Sequence, residues 1–166
     1  MKFYTHILVP LDGSEAAEAV LPHVFGLAKL AGATVTLLWV VPPIEDVIAI
    51  DGERFYVDDQ LVARKERALR YLDAIRKQQG GEAQAISIAV ETGPPAATIL
   101  EYADRESVDV IVMATHGRSG VQRWLLGSVA EKVSHAARQT VILVRSFPVP
   151  SSASAAAPIP TTQSVS

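Results

Sequence analysis

The sequence predicts an α/β protein in which an open five-stranded parallel sheet carries helices on both faces. Five short apolar segments alternate with segments whose apolar residues recur at every third or fourth position. Such alternation implies right-handed crossover connections, and these produce a parallel sheet with helices packed on its two sides.

The first two predicted strands flank a helix. Residues His6–Leu11 form a nearly continuous apolar run, which is typical of a strand buried on both faces. Residues Ser14–Leu30 show helical spacing, with Ser14 as the expected N-cap and Gly32 just beyond the end. The segment Thr34–Val41 is rich in β-branched residues and ends at a proline pair, so we assign it as the second strand.

The middle of the chain contains a long connection, two helices and one strand. Residues 42–58 exceed the usual strand-to-helix loop of about 2–6 residues. The longest predicted helix, Asp59–Gln79, follows this connection and ends at a glycine pair. Residues Ile86–Glu91 alternate in polarity, which indicates a half-exposed strand at a sheet edge. A proline pair then opens a helix over Pro94–Arg105.

The last part of the pattern repeats the order of strand, loop, helix and strand. Residues Asp109–Ala114 form a strongly apolar strand, and residues Thr115–Gly127 form a loop. A helix is expected over Ser128–Arg138, and a fifth strand over Val141–Arg145.

Composition narrows the classes of function. The 166 residues are 49% hydrophobic and 20% charged, which fits one globular domain. We expect that domain over residues 1–146, and a disordered tail rich in Ala, Ser and Pro over residues 147–166. A net charge of −3 without a basic stripe argues against nucleic-acid binding. Because the chain has no cysteine, disulfides and thiolate metal sites are excluded.

The expected location follows by elimination. No segment of the sequence approaches the roughly 20 apolar residues that cross a bilayer. The first residues also lack the apolar region and cleavage site of a signal peptide. We therefore expect a cytoplasmic protein without a membrane partner.

The loop after the fourth predicted strand carries the pattern most suggestive of ligand binding. In an open parallel sheet, ligands bind at the carboxyl ends of the strands, where the strand order reverses. Gly117 and Gly127 would let backbone N–H groups approach phosphate oxygens, and Arg118 would add positive charge. The helix that begins near Ser128 offers further unpaired N–H groups.

A purely structural interpretation of these residues stays open. Ser128 and Glu131 have the spacing of a capping box, and Gly127 would then only ease a turn. The glycine spacing is neither that of a P-loop nor that of a dinucleotide fingerprint. Asp12 can similarly accept a hydrogen bond from an adenine amino group or a ribose hydroxyl, or form a helix-start turn with Ser14.

Several segments of the sequence together match the pattern of one known family. They are His6–Ser14, Leu37–Val40, Gly93 with Pro95, Asp109–Met113, and Thr115-His116-Gly117 with Gly127-Ser128. On these residues the chain resembles the universal stress protein family over nearly all of residues 4–145. The nucleotide-binding branch of that family has G-x2-G-x9-G-[ST] after the fourth strand, and this chain departs from it only at Ala114, which replaces the first glycine. An extended or right-handed helical backbone accepts alanine, whereas a positive φ does not.

The resemblance implies a Rossmann-like fold with strand order 3-2-1-4-5 and a site for ATP, alone or with Mg²⁺. The first and fourth strands would flank the switch point, so that Asp12 and the glycine loop face one crevice. Carried over to this sequence, the nucleotide-binding residues are Pro10, Asp12 and Val40 at the adenine, Met113 and Ala114 at the ribose, and Gly117, Arg118, Gly127, Ser128 and Val129 at the ribose and phosphates.

The resemblance further implies a stress-response regulator that forms a homodimer through strand Val141–Arg145. An apolar strand at a sheet edge must be covered, because its free N–H and C=O groups otherwise favour aggregation. In a monomer, the tail of the same chain would cover this strand instead of a second subunit. We expect the protein to act as a module that binds its ligand, and we assign no residue to catalysis or to metal binding. The alternatives are slow ATP hydrolysis or autophosphorylation on Thr115, Ser119 or Ser128, and a ligand-free interaction protein, which only Ala114 supports.

Overall fold

A computed structural model describes residues 4–43, 55–79, 85–115 and 126–145, and the side chains of all of these except residues 55–59. The predicted tail and the glycine loop between residues 116 and 125 lie outside the described residues. In chain order, the elements are β1 (His6–Pro10), α1 (Glu15–Glu18), α2 (Leu21–Ala31), β2 (Thr34–Val41), α3 (Phe55–Gln79), β3 (Ile86–Thr92), α4 (Pro95–Arg105), β4 (Val110–Ala114), α5 (Ser128–Ala136) and β5 (Thr140–Val144).

The five strands form one parallel sheet in the order β3-β2-β1-β4-β5, which confirms the predicted fold class. Ile7 of β1 pairs with Val35 of β2 on one side and with Val110 of β4 on the other. The strand order therefore reverses between β1 and β4. The position of β3 confirms that the alternating segment Ile86–Glu91 belongs to an edge strand.

The helices pack on both faces of the sheet. One apolar cluster joins Val24 of α2 and Leu72 of α3 to the face of β1 that carries Ile7. A second cluster joins α4 and α5 to the opposite face, which carries Leu8. Because successive strand residues point to opposite faces, the continuous apolar run in β1 supplies both clusters.

The single helix predicted over Ser14–Leu30 is wrong, because the structure has two helices there. The first ends at Glu18, and the second begins at Leu21. Pro22 explains the break, since it has no N–H to donate to the carbonyl of Glu18 and its ring would clash with that carbonyl. Gly32 does end α2, with a left-handed φ of 62°.

Other element limits differ from the prediction only at their ends. The long helix begins at Phe55, four residues before the predicted start at Asp59. Strand β5 covers Thr140–Val144, one residue earlier than predicted. Helix α4 starts as expected at its proline pair. Within the part of the chain that the structure describes, no helix is long and apolar enough to cross a membrane.

The amino-terminal ends of the strands are joined by side-chain hydrogen bonds. One carboxylate oxygen of Asp109 accepts from the Thr5 N–H and hydroxyl, each at 2.6 Å, and from the His6 N–H at 2.9 Å. These donors, chiefly the Thr5 hydroxyl, hold the pKa of Asp109 below its usual value. His6 Nε2 lies 2.8 Å from the Thr36 hydroxyl, which lies 2.8 Å from the Ser87 hydroxyl. Neighbouring strands are thereby tied together at this edge.

Candidate functional site

A cavity of about 340 Å³ opens at the opposite edge of the sheet, where the strand order reverses. Small-molecule sites usually occupy about 300–1,000 Å³, so the cavity is large enough for a compact ligand. Its walls come from the carboxyl ends of β1, β2 and β4, the turn before α1, α1 itself, and the first turns of α4 and α5. They are formed by Pro10, Leu11, Asp12, Ala17, Trp39, Val40, Pro42, Pro95, Ile99, Met113, Ala114, Thr115, Gly127, Ser128, Val129 and Ala130.

The structure brings residues predicted from distant parts of the sequence to this one cavity. Gly117 and Arg118, the other two predicted ligand-binding residues, lie outside the described residues, as do His116 and Ser119. The predicted residues that line the cavity are Pro10, Asp12, Val40, Met113, Ala114, Gly127, Ser128 and Val129.

The start of α5 forms one wall of the cavity. Gly127 occupies the N-cap with φ −60° and ψ 145°, and no side chain in the described segments caps the helix. The Gly127 N–H donates to the Thr115 carbonyl oxygen at 2.8 Å, which ties this wall to the end of β4. First-turn N–H groups have no partner within a helix and carry the positive end of its dipole, so this wall suits an anion.

The capping-box interpretation of Ser128 is wrong. A capping box needs Ser128 at the N-cap, but that position belongs to Gly127, and Ser128 is already the first helical residue. The Glu131 N–H, which a capping box would pair with the Ser128 hydroxyl, donates to the Gly127 carbonyl oxygen at 2.8 Å. Ser128 is exposed and lines the cavity instead.

A tight turn positions Asp12 at the rim of the cavity. Its Oδ1 accepts from the Ser14 N–H at 3.0 Å and from the Ser14 hydroxyl at 2.6 Å. The Ser14 oxygen also accepts from the Ala17 N–H at 3.1 Å, which confirms Ser14 as the N-cap of α1. The turn passes through Gly13 at φ 78°, a left-handed conformation that favours glycine. Asp12 therefore belongs both to a helix-start turn and to the cavity wall.

The backbone at Ala114 is compatible with alanine. This residue ends β4 and pairs with Val144 of β5, so its backbone is extended. Among the described residues, the non-glycine residue with a positive φ is Ser107. The replacement of the family's glycine by Ala114 therefore introduces no backbone strain.

Trp39 is the largest cavity residue that the sequence did not reveal. Its half-buried ring meets the Tyr71 ring edge-on, with centroids 5.1 Å apart and planes at 74°. The Tyr71 hydroxyl donates to Glu18 at 2.7 Å, so α3 supports this wall and contacts the end of α1. The available signal was the position of Trp39 at the carboxyl end of β2, beside the switch point. Pro95 and Ile99 of α4 were also missed, because only the tertiary structure places α4 at the cavity.

Sequence comparison matches residues 3–145 to the universal stress protein family. A universal stress protein from Methanothermobacter thermautotrophicus is 35% identical over 147 residues, which cover 87% of this chain and 98% of that protein.

Structural comparison agrees with the sequence match. The universal stress protein from Lactobacillus plantarum superposes with a TM-score of 0.74 at 26% identity. The superposition covers 86% of this chain and 98% of the Lactobacillus plantarum chain. A universal stress protein in complex with cAMP is 22% identical, with a TM-score of 0.59 and coverage of 86% and 97%. One from Archaeoglobus fulgidus in complex with dAMP is 24% identical, with a TM-score of 0.59 and coverage of 85% and 98%. At these last two identities, the likeness establishes the fold.

Proposed function

The chain belongs to the universal stress protein family, and from this premise we propose that it binds an adenine nucleotide, foremost ATP, in the cavity at the carboxyl edge of its sheet. One juxtaposition supports the proposal most directly. The Asp12 carboxylate and the first turn of α5, which no described side chain caps, line the same cavity. The first is an acceptor for amino or hydroxyl groups, and the second is a site for phosphate.

The apolar wall suits the purine ring. Half-buried Val40 and buried Met113 face the same cavity as Asp12. In the proposed complex they pack against the base, while Asp12 accepts from the adenine amino group or a ribose hydroxyl. Pro10 completes the adenine side, and Ala114 lies at the ribose.

The proposed phosphate site combines α5 with the preceding loop. Gly127, Ser128 and Val129 present the helix start, and we assign Gly117 and Arg118 to the ribose and phosphates on the family pattern. When Mg²⁺ accompanies ATP, the phosphate oxygens supply its ligands. Two universal stress proteins that share this fold are in complex with cAMP and with dAMP, which supports an adenine nucleotide as the ligand class proposed here.

The proposal includes a cytoplasmic homodimer whose response to stress depends on occupancy of the cavity. Strand β5 is at an edge of the sheet, and its residues Val141–Val144 are only partly buried. Backbone N–H and C=O groups on an uncovered edge favour pairing with another strand. Pairing of two copies through Thr140–Val144 would cover the β5 edge of each copy.

The first experiment identifies nucleotide that co-purifies with the protein. Freshly purified protein is denatured, and the released small molecules are identified by chromatography and mass spectrometry. We expect near-stoichiometric ATP. Recovery of mainly ADP would indicate turnover, which a phosphate-release assay with saturating ATP and Mg²⁺ then measures against a buffer blank.

Calorimetric titration tests the ligand class independently of co-purification. Protein that has been unfolded, freed of nucleotide and refolded is titrated with ATP, ADP, AMP and cAMP, each with and without Mg²⁺. We expect ATP to bind most tightly. Absence of both released nucleotide and a titration signal would refute the proposal and favour a ligand-free interaction protein.

A further inference from the structure

We propose that Ser14 is a positioning residue of the nucleotide site, and that it raises affinity by orienting the Asp12 carboxylate. Ser14 is not among the residues that line the cavity, whereas Asp12 is. The contribution of Ser14 that we propose therefore acts through Asp12. This inference rests on the proposed function.

The chemistry of the three groups determines the direction of each hydrogen bond. The Ala17 N–H can only donate, so Ser14 Oγ is its acceptor at 3.1 Å. An ionised carboxylate can only accept, so the Ser14 hydroxyl hydrogen is directed to Asp12 Oδ1 at 2.6 Å. The hydrogen bond from the first turn of α1 thus fixes the orientation of the Ser14 hydroxyl group. The Ser14 hydroxyl in turn restrains the Asp12 carboxylate.

A second donor strengthens this arrangement. The Ser14 N–H reaches the same Asp12 oxygen at 3.0 Å, because the left-handed turn at Gly13 folds the chain back on Asp12. Two donors on one oxygen restrict the side-chain rotation of Asp12 before any ligand arrives. Prior restriction lowers the entropy lost on binding, which is the usual benefit of preorganisation.

A helix cap alone would also explain Ser14, and the two roles differ in one measurable respect. If Ser14 only caps α1, its loss weakens binding to the same extent whether or not Asp12 carries a carboxylate. If Ser14 positions the carboxylate, its loss has little further effect once the carboxylate is gone. A double-mutant cycle separates these cases because contacting residues show non-additive effects.

The cycle compares ATP affinity in wild type, Ser14→Ala, Asp12→Ala and the double variant. Calorimetry measures the tighter complexes, ligand-observed NMR extends the range to millimolar Kd, and thermal melts verify that each variant is folded. We expect Ser14→Ala to weaken ATP binding by about 5- to 10-fold when Asp12 is present, and by less than about 2-fold in the Asp12→Ala background.

Ser14→Thr is the matched control, since threonine retains both the hydroxyl donor and the capping oxygen. We expect it to bind ATP within about 2-fold of wild type. Equal losses for Ser14→Ala in the two backgrounds would overturn the positioning role and leave the proposed function intact. If wild type itself bound no adenine nucleotide, the proposed function and this inference would both fail.

Discussion

The two edges of the sheet use polar side chains in different ways. At the amino-terminal edge, Asp109 accepts three hydrogen bonds from the start of β1. At the carboxyl edge, Asp12 accepts two hydrogen bonds from Ser14, two residues further along the chain. Asp12 also lines a cavity, together with a helix start that no described side chain caps. Hydrogen bonding alone does not distinguish these two carboxylates. Their positions relative to the cavity do.

The described hydrogen bonds at the amino-terminal edge join groups of the protein to one another. His6 Nδ1 lies 3.2 Å from the Glu106 carbonyl oxygen, which can only accept, so this nitrogen carries the hydrogen. His6 Nε2 lies 2.8 Å from the Thr36 hydroxyl. The Ser87 hydroxyl lies 2.8 Å from the Thr36 hydroxyl and donates to the Val35 carbonyl oxygen at 3.4 Å. Partners of this kind stabilise the fold. We therefore expect changes at this edge to alter stability, and changes at the carboxyl edge to alter binding.

The largest expected effect is that of Gly127→Glu on nucleotide binding. The new carboxylate would stand at the start of α5, where it would fill part of the cavity and repel phosphate. We expect ATP affinity to fall by more than about 100-fold, which is about 2.7 kcal/mol at 25 °C. Calorimetric titration measures the loss, and circular dichroism checks that the fold persists.

The matched control for Gly127→Glu places the same negative charge at the amino-terminal edge of the sheet. Ala85 is exposed and directly precedes β3, so Ala85→Glu adds an identical carboxylate far from the cavity. We expect it to bind ATP within about 2-fold of wild type. If folded Gly127→Glu retained wild-type affinity, the start of α5 would not be the phosphate site.

Asp109→Asn should lower stability by about 1–2 kcal/mol, because it replaces charge-assisted hydrogen bonds with neutral ones at a partly exposed position. The lowered pKa of Asp109 determines the pH dependence. A carboxyl group whose pKa is depressed by folding stabilises the protein above its unfolded pKa of about 3.9. This stabilisation is lost as pH falls through the lower folded value.

Chemical denaturation of wild type and Asp109→Asn at several pH values measures this effect. We expect the difference in unfolding free energy to be constant near neutral pH and to shrink as pH falls below about 4. ATP affinity at neutral pH should remain within about 2-fold of wild type. A large loss of affinity in the folded variant would show that the two edges are coupled.

Much of the fold could be predicted because local patterns determine it. Alternating apolar segments indicated five strands, and the family resemblance implied their order. The break at Pro22 was overlooked in an otherwise helical pattern, although proline is a local signal. The capping-box spacing allows Ser128 as the N-cap, whereas the structure has Gly127 there, because adjacent residues of the same turn can each satisfy a capping pattern. Trp39 has a sequence signal in its position at the carboxyl end of β2, but its neighbours in the cavity come from distant segments, which only the tertiary structure brings together.

Ala114→Gly should have the smallest effect, and it tests whether the departure from the family's glycine pattern matters for binding. Because Ala114 has extended backbone at the end of β4, alanine costs nothing in conformation there. Glycine would restore the family pattern but would cost about 0.5–1 kcal/mol of stability through the greater freedom of the unfolded chain. We expect ATP affinity to change by less than about 2-fold, measured by calorimetry beside a denaturation curve. An increase of about 10-fold or more would show that the Ala114 methyl group obstructs the ligand, and that this chain belongs to a branch with a weakened site.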